Sequence, residues 1–252
     1  MEICVLSNND MRPSNLTTKI FIDGGDPQET EDIIHVLGFL DGQTTNPSLI
    51  SRNPEAQVRV GRGKKFTKAE LLALYRGVVR DVAGRHESIQ SVSIEVYADK
   101  NTTADEMFTQ GKDMYAWTPK AHVKYPTTSA GLAAAEKSVA IGMRVNMTLV
   151  FSQAQAAAVY AATKGAIKGQ VFLSPFIGRL DDKGENGMYL VKNILQMYRS
   201  GDGHVEVLTA SVRSIDHVLG AIHLGSDLLT APYKVLKEWG EKGLPLPEED
   251  FV

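Results

Sequence analysis

Short apolar runs rich in β-branched residues recur along this chain, and longer segments with apolar residues every three to four positions separate them. That alternation constrains the fold more than any other feature, because strands interleaved with helices pair in parallel through right-handed crossovers. The strand-like runs are 19–24, 42–46, 89–96, 121–126, 143–150, 170–177, 205–211 and 227–231. Helical periods cover 26–37, 67–82, 104–117, 132–141, 153–163, 184–199, 215–224 and 233–242. Start signals support several of these: Asp26-Pro27 reads as an N-cap followed by proline at the first helical position, and Thr67 and Ser152 read as caps.

Eight such units in about 230 residues predict an α/β chain folded as a single-domain (β/α)8 TIM barrel. An open doubly wound sheet would want a G-x-G-x-x-G turn after a strand, and the chain has none. The expected organisation is an N-terminal arm over residues 1–18, the barrel over 19–244 and a C-terminal tail over 245–252. The stretch from 51 to 84 is longer than one strand-to-helix connection needs, which predicts an extra helix there. Within it the basic segment 59–65 lacks the pattern of a phosphate-binding loop and reads as solvated loop.

Charge and composition narrow the function classes. A net charge of −3 argues against a nucleic-acid or membrane-surface binder, both of which carry a basic face. No apolar run approaches the ~20 residues of a membrane span, and the N-terminus lacks a signal-peptide pattern. The one cysteine, Cys4, has no partner for an internal disulfide. Together these predict a cytoplasmic protein.

Side chains two apart on a strand share a face, so the polar residues at each strand's C-terminal end can be sorted by direction. Asp23 shares a face with Phe21, Asn46 with Thr44, Glu95 with Ser93, and Lys124 with His122. Thr148 pairs in the same way with Asn146, Phe176 with Ser174, and Ser211 with Thr209, with Arg213 just beyond. Barrel enzymes assemble their sites at that end. Lys124, at the end of the strand Ala121-His122-Val123-Lys124-Tyr125-Pro126, draws most attention. Desolvation favours a neutral amine, and a neutral amine condenses with a carbonyl. A lysine reaching for solvent from a strand end is the commoner arrangement, and the surrounding polar ring argues against it here.

Six blocks carry a resemblance to a known family. They are Phe21-Ile22-Asp23, Asp41-Gly42-Gln43-Thr44-Thr45-Asn46-Pro47-Ser48, Val123-Lys124-Tyr125-Pro126, Val145-Asn146-Met147-Thr148-Leu149-Val150-Phe151-Ser152, Ser174-Pro175-Phe176-Ile177-Gly178-Arg179-Leu180-Asp181-Asp182 and Ala210-Ser211-Val212-Arg213. In this order they resemble the signature blocks of the transaldolase family, class I Schiff-base aldolases, and within it a short bacterial-type member.

The resemblance implies a barrel enzyme that moves a dihydroxyacetone unit from a ketose phosphate to an aldose phosphate in the non-oxidative pentose phosphate pathway. Lys124 matches the imine-forming lysine, Asp23 the general base, and Glu95 with Thr148 the pair that manages proton transfer through a water. Asn46, Asn146 and Ser174 match positions that bond the hydroxyls of the three-carbon unit. Arg179, Ser211 and Arg213 match the phosphate site. No metal and no cofactor is implied, and sugar phosphates are the expected partners.

A sister group, the fructose-6-phosphate aldolases, releases free dihydroxyacetone and resembles this chain less at two positions. There glutamine and tyrosine tend to stand where this chain has Glu95 and Phe176. Two departures from the family pattern stand out. His122 occupies a position that usually holds an aliphatic residue, so it either packs in the core or acts on Lys124 or Glu95. The C-terminal helix with which short members clasp a neighbour in a ring is not evident in 245–252, which leaves a homo-oligomer open.

Overall fold

Five or six residues suffice for a strand to cross a small barrel, and the apolar runs of this chain have that length. The computed structural model describes residues 12–248. Its strands are β1 (Lys19–Asp23), β2 (Gly42–Thr44), β3 (Ser91–Glu95), β4 (Ala121–Pro126), β5 (Val145–Val150), β6 (Val171–Pro175), β7 (Val205–Thr209) and β8 (Leu228–Pro232). All pair in parallel with their sequence neighbours, and β8 pairs with β1, so the sheet closes. The expected single-domain (β/α)8 barrel is the fold observed.

The helices fall into principal crossovers and short insertions. The crossovers are α1 (Pro27–Leu37), α4 (Lys68–Arg85), α5 (Ala104–Tyr115), α6 (Ser129–Ala140), α7 (Gln153–Ala162), α9 (Gly187–Tyr198), α10 (Ile215–His223) and α11 (Tyr233–Glu241). Asp26, Thr67 and Ser152 act as N-caps as expected, each accepting a backbone N–H from the first turn. Thr67 and Glu70 complete a capping box.

Three insertions refine the sequence reading. Between β2 and α4 the chain forms α2 (Pro47–Ser51) and α3 (Pro54–Gly61), two extra helices where one was expected. The basic segment 59–65 is therefore not all loop: Arg59 to Gly61 complete α3, and Arg59 pairs with Glu70 at 2.6 Å and lies over the Phe66 ring. After β6 the strand stops at Pro175, two residues early, and α8 (Ile177–Asp181) follows.

Alternation along the strands divides the apolar residues between two regions. Ile20, Ile22, Val92, Ile94, Val123, Val145 and Val171 face outward and pack under the helices with Ile33, Leu37, Val79 and Trp239. Full burial of each such side chain contributes about 1.5–3 kcal/mol, so this layer supplies most of the apolar stabilisation. A smaller cluster of Phe21, Phe172, Leu208, Ala210 and Leu228 fills the barrel interior. Phe21 and Phe172 meet edge to face at 6.1 Å. Below them Lys19 and Glu206 pair at 3.1 Å. The N-terminal half of the barrel is thereby plugged, and the cavity lined by Asp23 and Lys124 opens at the C-terminal end.

Among the described residues no helix is long and apolar enough to cross a membrane. Cys4, most of the expected arm (1–11) and the end of the tail (249–252) lie outside the described residues.

Candidate active site

β3 and β4 run in a register that sets Glu95 directly beside Lys124. The lysine Nζ stands 2.9 Å from Glu95 Oε2 and donates a hydrogen bond of 3.0 Å to the backbone carbonyl of Thr45. Only 4% of Lys124 is exposed. The amine is thus fixed from two sides, and its carboxylate partner is the nearest group able to take or return a proton.

Glu95 and Thr45 are themselves held by a buried tyrosine. The Glu95 N–H donates to the Tyr75 hydroxyl at 2.9 Å. That hydroxyl lies 2.7 Å from Thr45 Oγ1, which donates to the Ser93 carbonyl at 2.7 Å. A chain of bonds of this kind, fully buried, strengthens each member and fixes the direction of each proton. Burial raises the Tyr75 phenol well above its usual range, so it serves as a neutral clamp.

Asp23 closes β1 at the same end of the barrel. Thr44 Oγ1 donates to Asp23 Oδ1 at 2.6 Å and lies 2.7 Å from Thr230 Oγ1, giving a relay from β8 through β2 to the carboxylate. The barrel wall around Asp23 raises its pKa above the usual 3.8. Burial is the largest influence, Lys124 and the Thr44 hydrogen bond oppose it, and Glu95 adds to it. A carboxyl held closer to neutrality is suited to exchanging protons with a substrate hydroxyl.

The remaining candidates gather around this pair. Asp23, Lys124, Thr148, Asn46, Ser174, Phe176, Arg179 and Ser211 line one cavity of about 140 Å³. Glu95 and Asn146 support it from behind. Asn146 Nδ2 donates to Ser93 Oγ at 3.1 Å, and Ser174 Oγ donates to Asn146 Oδ1 at 2.7 Å. Asn46 spends its carbonyl oxygen capping α2 through Leu49 N, at 2.9 Å, which leaves its amide nitrogen for a ligand. Thr148 Oγ1 is buried and has no hydrogen-bond partner. Its strand carries a register shift between Met147 and Val150, with Leu149 at φ 61°.

At the end of the cavity formed by the β6 and β7 loops Ser211 adopts φ 60°, and the Arg179 guanidinium lies 5.3 Å over the Phe176 ring. Phe176 in turn meets Phe151 edge to face at 5.9 Å. Arg213 does not line the cavity. Its guanidinium grips Asp182 with two bonds, Nη1 to Oδ1 at 2.8 Å and Nη2 to Oδ2 at 2.6 Å.

His122 resolves as a packing residue. Its ring stacks on Phe172 at 4.1 Å, Nδ1 lies 2.8 Å from Ser91 Oγ, and Nε2 lies 3.0 Å from the Gly169 carbonyl. It bonds neither Glu95 nor Lys124. Burial pushes its pKa down to about 3, so the ring is neutral. Sequence reasoning did not single out Tyr75, Thr45 or Thr230. Tyr75 looked like one more apolar member of a helix face, and only its hydroxyl on a core-facing position hinted at a polar task. Among the described residues no group of three or more His, Cys, Asp or Glu is placed to hold a metal ion.

Comparison with known proteins places this geometry among relatives. The family model described as Transaldolase/Fructose-6-phosphate aldolase matches residues 20–250. A probable transaldolase of Chlorobium limicola is 40% identical over 220 residues, covering 87% of this chain and 89% of the relative. One of Bdellovibrio bacteriovorus is 36% identical over 238 residues, covering 92% and 97%. One of Herpetosiphon aurantiacus is 35% identical over 220 residues, covering 87% and 86%. Among solved structures, an enolase of the mandelate racemase subgroup from Agrobacterium tumefaciens aligns with a TM-score of 0.52 at 9% identity. That alignment covers 92% of this chain and 59% of the enolase, and it speaks to the fold alone.

Proposed function

The chain belongs to the transaldolase/fructose-6-phosphate aldolase family, and from that premise we propose that it is a transaldolase acting through a Schiff base on Lys124. The observation that carries this reading is a buried lysine amine 2.9 Å from one carboxylate, on a cavity that a second carboxylate also lines. Glu95 takes a proton from the Lys124 ammonium, and the free amine adds to the C2 carbonyl of a ketose phosphate. Loss of water from the carbinolamine gives the protonated imine. Thr148, whose buried hydroxyl is without a partner among the described residues, and Glu95 carry that water and its protons.

Asp23 then removes the C4 hydroxyl proton, the C3–C4 bond breaks, and its electron pair flows into the imine to give an enamine. The aldose phosphate leaves. Attack of the enamine on a second aldose phosphate, with return of the proton from Asp23, reverses these steps. Asn46, Asn146 and Ser174 orient the three-carbon unit, and Arg179, Ser211 and Arg213 bind the distal phosphate. Fructose 6-phosphate and sedoheptulose 7-phosphate are the donors proposed, in a cytoplasmic non-oxidative pentose phosphate pathway.

Transfer rather than simple cleavage is favoured by Phe176. Its ring lines the cavity and packs against Phe151 under the Arg179 cation, with no hydroxyl to hold a water for protonating the enamine. Incubation with fructose 6-phosphate alone tests the choice. A transaldolase retains the three-carbon unit until erythrose 4-phosphate is added, whereas rapid release of free dihydroxyacetone would make it an aldolase. Borohydride trapping in the same mixture should place the adduct on Lys124, and an adduct elsewhere would overturn the mechanism.

A further inference from the structure

We propose that Asp182 is a specificity-determining residue: it occupies the phosphate-binding face of Arg213, so that only a substrate anion able to displace it gains full use of that arginine. This rests on the reading of Arg179, Ser211 and Arg213 as the phosphate site.

The two arginines of that site are in different states. Arg179 lines the cavity and has only the Phe176 ring beneath it, with no hydrogen bond or ion pair. Arg213 presents its paired Nη1 and Nη2 donors, the fork that fits a phosphate, to the Asp182 carboxylate. Its stem is steered there by the fold. Gly178 packs so closely that a Cβ on it would stand 2.5 Å from Arg213 Nε, and the Gly178 N–H bonds the Ser211 carbonyl at 3.1 Å. The guanidinium therefore lies across α8, at whose C-terminal end Asp182 sits.

Asp182 has no other visible task. Among the described residues its side chain makes no further hydrogen bond or ion pair, and only its backbone N–H, which bonds the Gly178 carbonyl at 3.1 Å, caps α8. Asp181 beside it behaves differently, bonding the Gly187 N–H at 2.9 Å and His217 Nε2 at 3.3 Å. Both members of the Arg213–Asp182 pair are about half exposed, and ion pairs in that setting are weak. A phosphate group brings nearly two negative charges and three acceptor oxygens against one charge and two oxygens, so it can take the fork. The uncharged hydroxymethyl end of an unphosphorylated ketose cannot. Asp182 thus competes only with phosphorylated ligands, which must displace it to use Arg213, and so tempers the preference for phosphorylated over unphosphorylated substrates.

The test measures inorganic phosphate affinity by calorimetry, together with kcat and KM for fructose 6-phosphate and for fructose. Asp182→Asn and Asp182→Ser should each tighten phosphate and lower the KM for fructose 6-phosphate by roughly two- to fivefold, the range set by a surface pair. The preference for fructose 6-phosphate over fructose should rise in both. Asp182→Glu, which keeps the charge, should stay close to the parent. Arg213→Ala should weaken phosphate binding. If Arg213→Ala weakens it while the Asp182 variants leave it unchanged or weaker, the phosphate site stands and the proposal for Asp182 is overturned. If Arg213→Ala leaves phosphate affinity unchanged, the phosphate reading itself fails and the proposal falls with it.

Discussion

Lys124 Nζ and Glu95 Oε2 stand 2.9 Å apart because their residues are direct register partners on adjacent strands. The contact is therefore a property of the barrel's shear, and no side-chain search is needed to make it. Tyr75 fixes the backbone of Glu95, and Thr45 supplies the carbonyl that holds the lysine from the other side. Amine and carboxylate can exchange a proton without either side chain moving.

Removing the amine should end the chemistry. Lys124→Ala is expected to lose borohydride-trappable adduct altogether and to lower kcat by more than about a thousandfold, as losses of a covalent nucleophile do. Glu95→Gln keeps the shape and loses the proton acceptor. Its kcat should fall by roughly 10²- to 10⁴-fold, with adduct still formed on prolonged incubation. An intact turnover rate in Glu95→Gln would remove Glu95 from the mechanism.

Asp23 should trade stability for activity. Its folded pKa is raised above 3.8, so folding favours the protonated form. The sign follows from linkage: this group's contribution is fully present below 3.8 and is lost as pH rises through the raised folded value. At pH 7 the buried carboxyl is therefore a net liability to folding. Asp23→Asn keeps an acceptor for Thr44 and removes the charge, so its melting temperature at pH 7 should exceed the parent's by about 2–4 °C. The gap should close as the pH is lowered toward 3.8, and transfer activity should be lost throughout. A lower melting temperature at pH 7 would mean that the attraction to Lys124 outweighs burial.

These residues differ in how far the sequence disclosed them. The period-two alternation put Asp23, Glu95 and Lys124 at strand ends facing inward, because side-chain direction on a strand is local. That Glu95 meets Lys124 depends on the stagger of β3 against β4, a global quantity no segment encodes. The short helix α8 was hidden because Phe176 and Ile177 continue an apolar run that strand patterning accepts equally well. Tyr75 and Thr230 were invisible for a related reason. One hydroxyl on an otherwise apolar helix face, and one threonine in a strand of leucines and alanine, acquire a task only once Thr45 and Thr44 lie beside them. Arg213 was correctly placed beyond β7, but its engagement by Asp182, 31 residues earlier in the chain, appears only with the loops assembled.

His122 should govern acid stability and leave catalysis alone. Its folded pKa of about 3 lies below the ordinary 6.5, so the unfolded chain binds the extra proton first. Stability from the neutral ring is therefore full above 6.5 and is lost as pH falls from 6.5 toward 3, with a slope of up to about 1.4 kcal/mol per pH unit. His122→Val should unfold more readily at pH 7, since Ser91 Oγ and the Gly169 carbonyl lose their partner, yet show a flatter decline in acid. Its pH–rate profile should coincide with the parent's in shape. A displaced limb in that profile would reinstate an action of His122 on Lys124 or Glu95.

Ser211 separates a backbone demand from a side-chain one. At φ 60° it sits in the left-handed region, which costs an L-residue about 1–2 kcal/mol and glycine almost nothing. Ser211→Ala and Ser211→Gly both delete the hydroxyl, so both should weaken inorganic phosphate binding to a similar degree. Only alanine retains the strain, so urea unfolding should find Ser211→Gly more stable than Ser211→Ala by about 1 kcal/mol. Equal stabilities would mean the left-handed turn relaxes once the hydroxyl is gone.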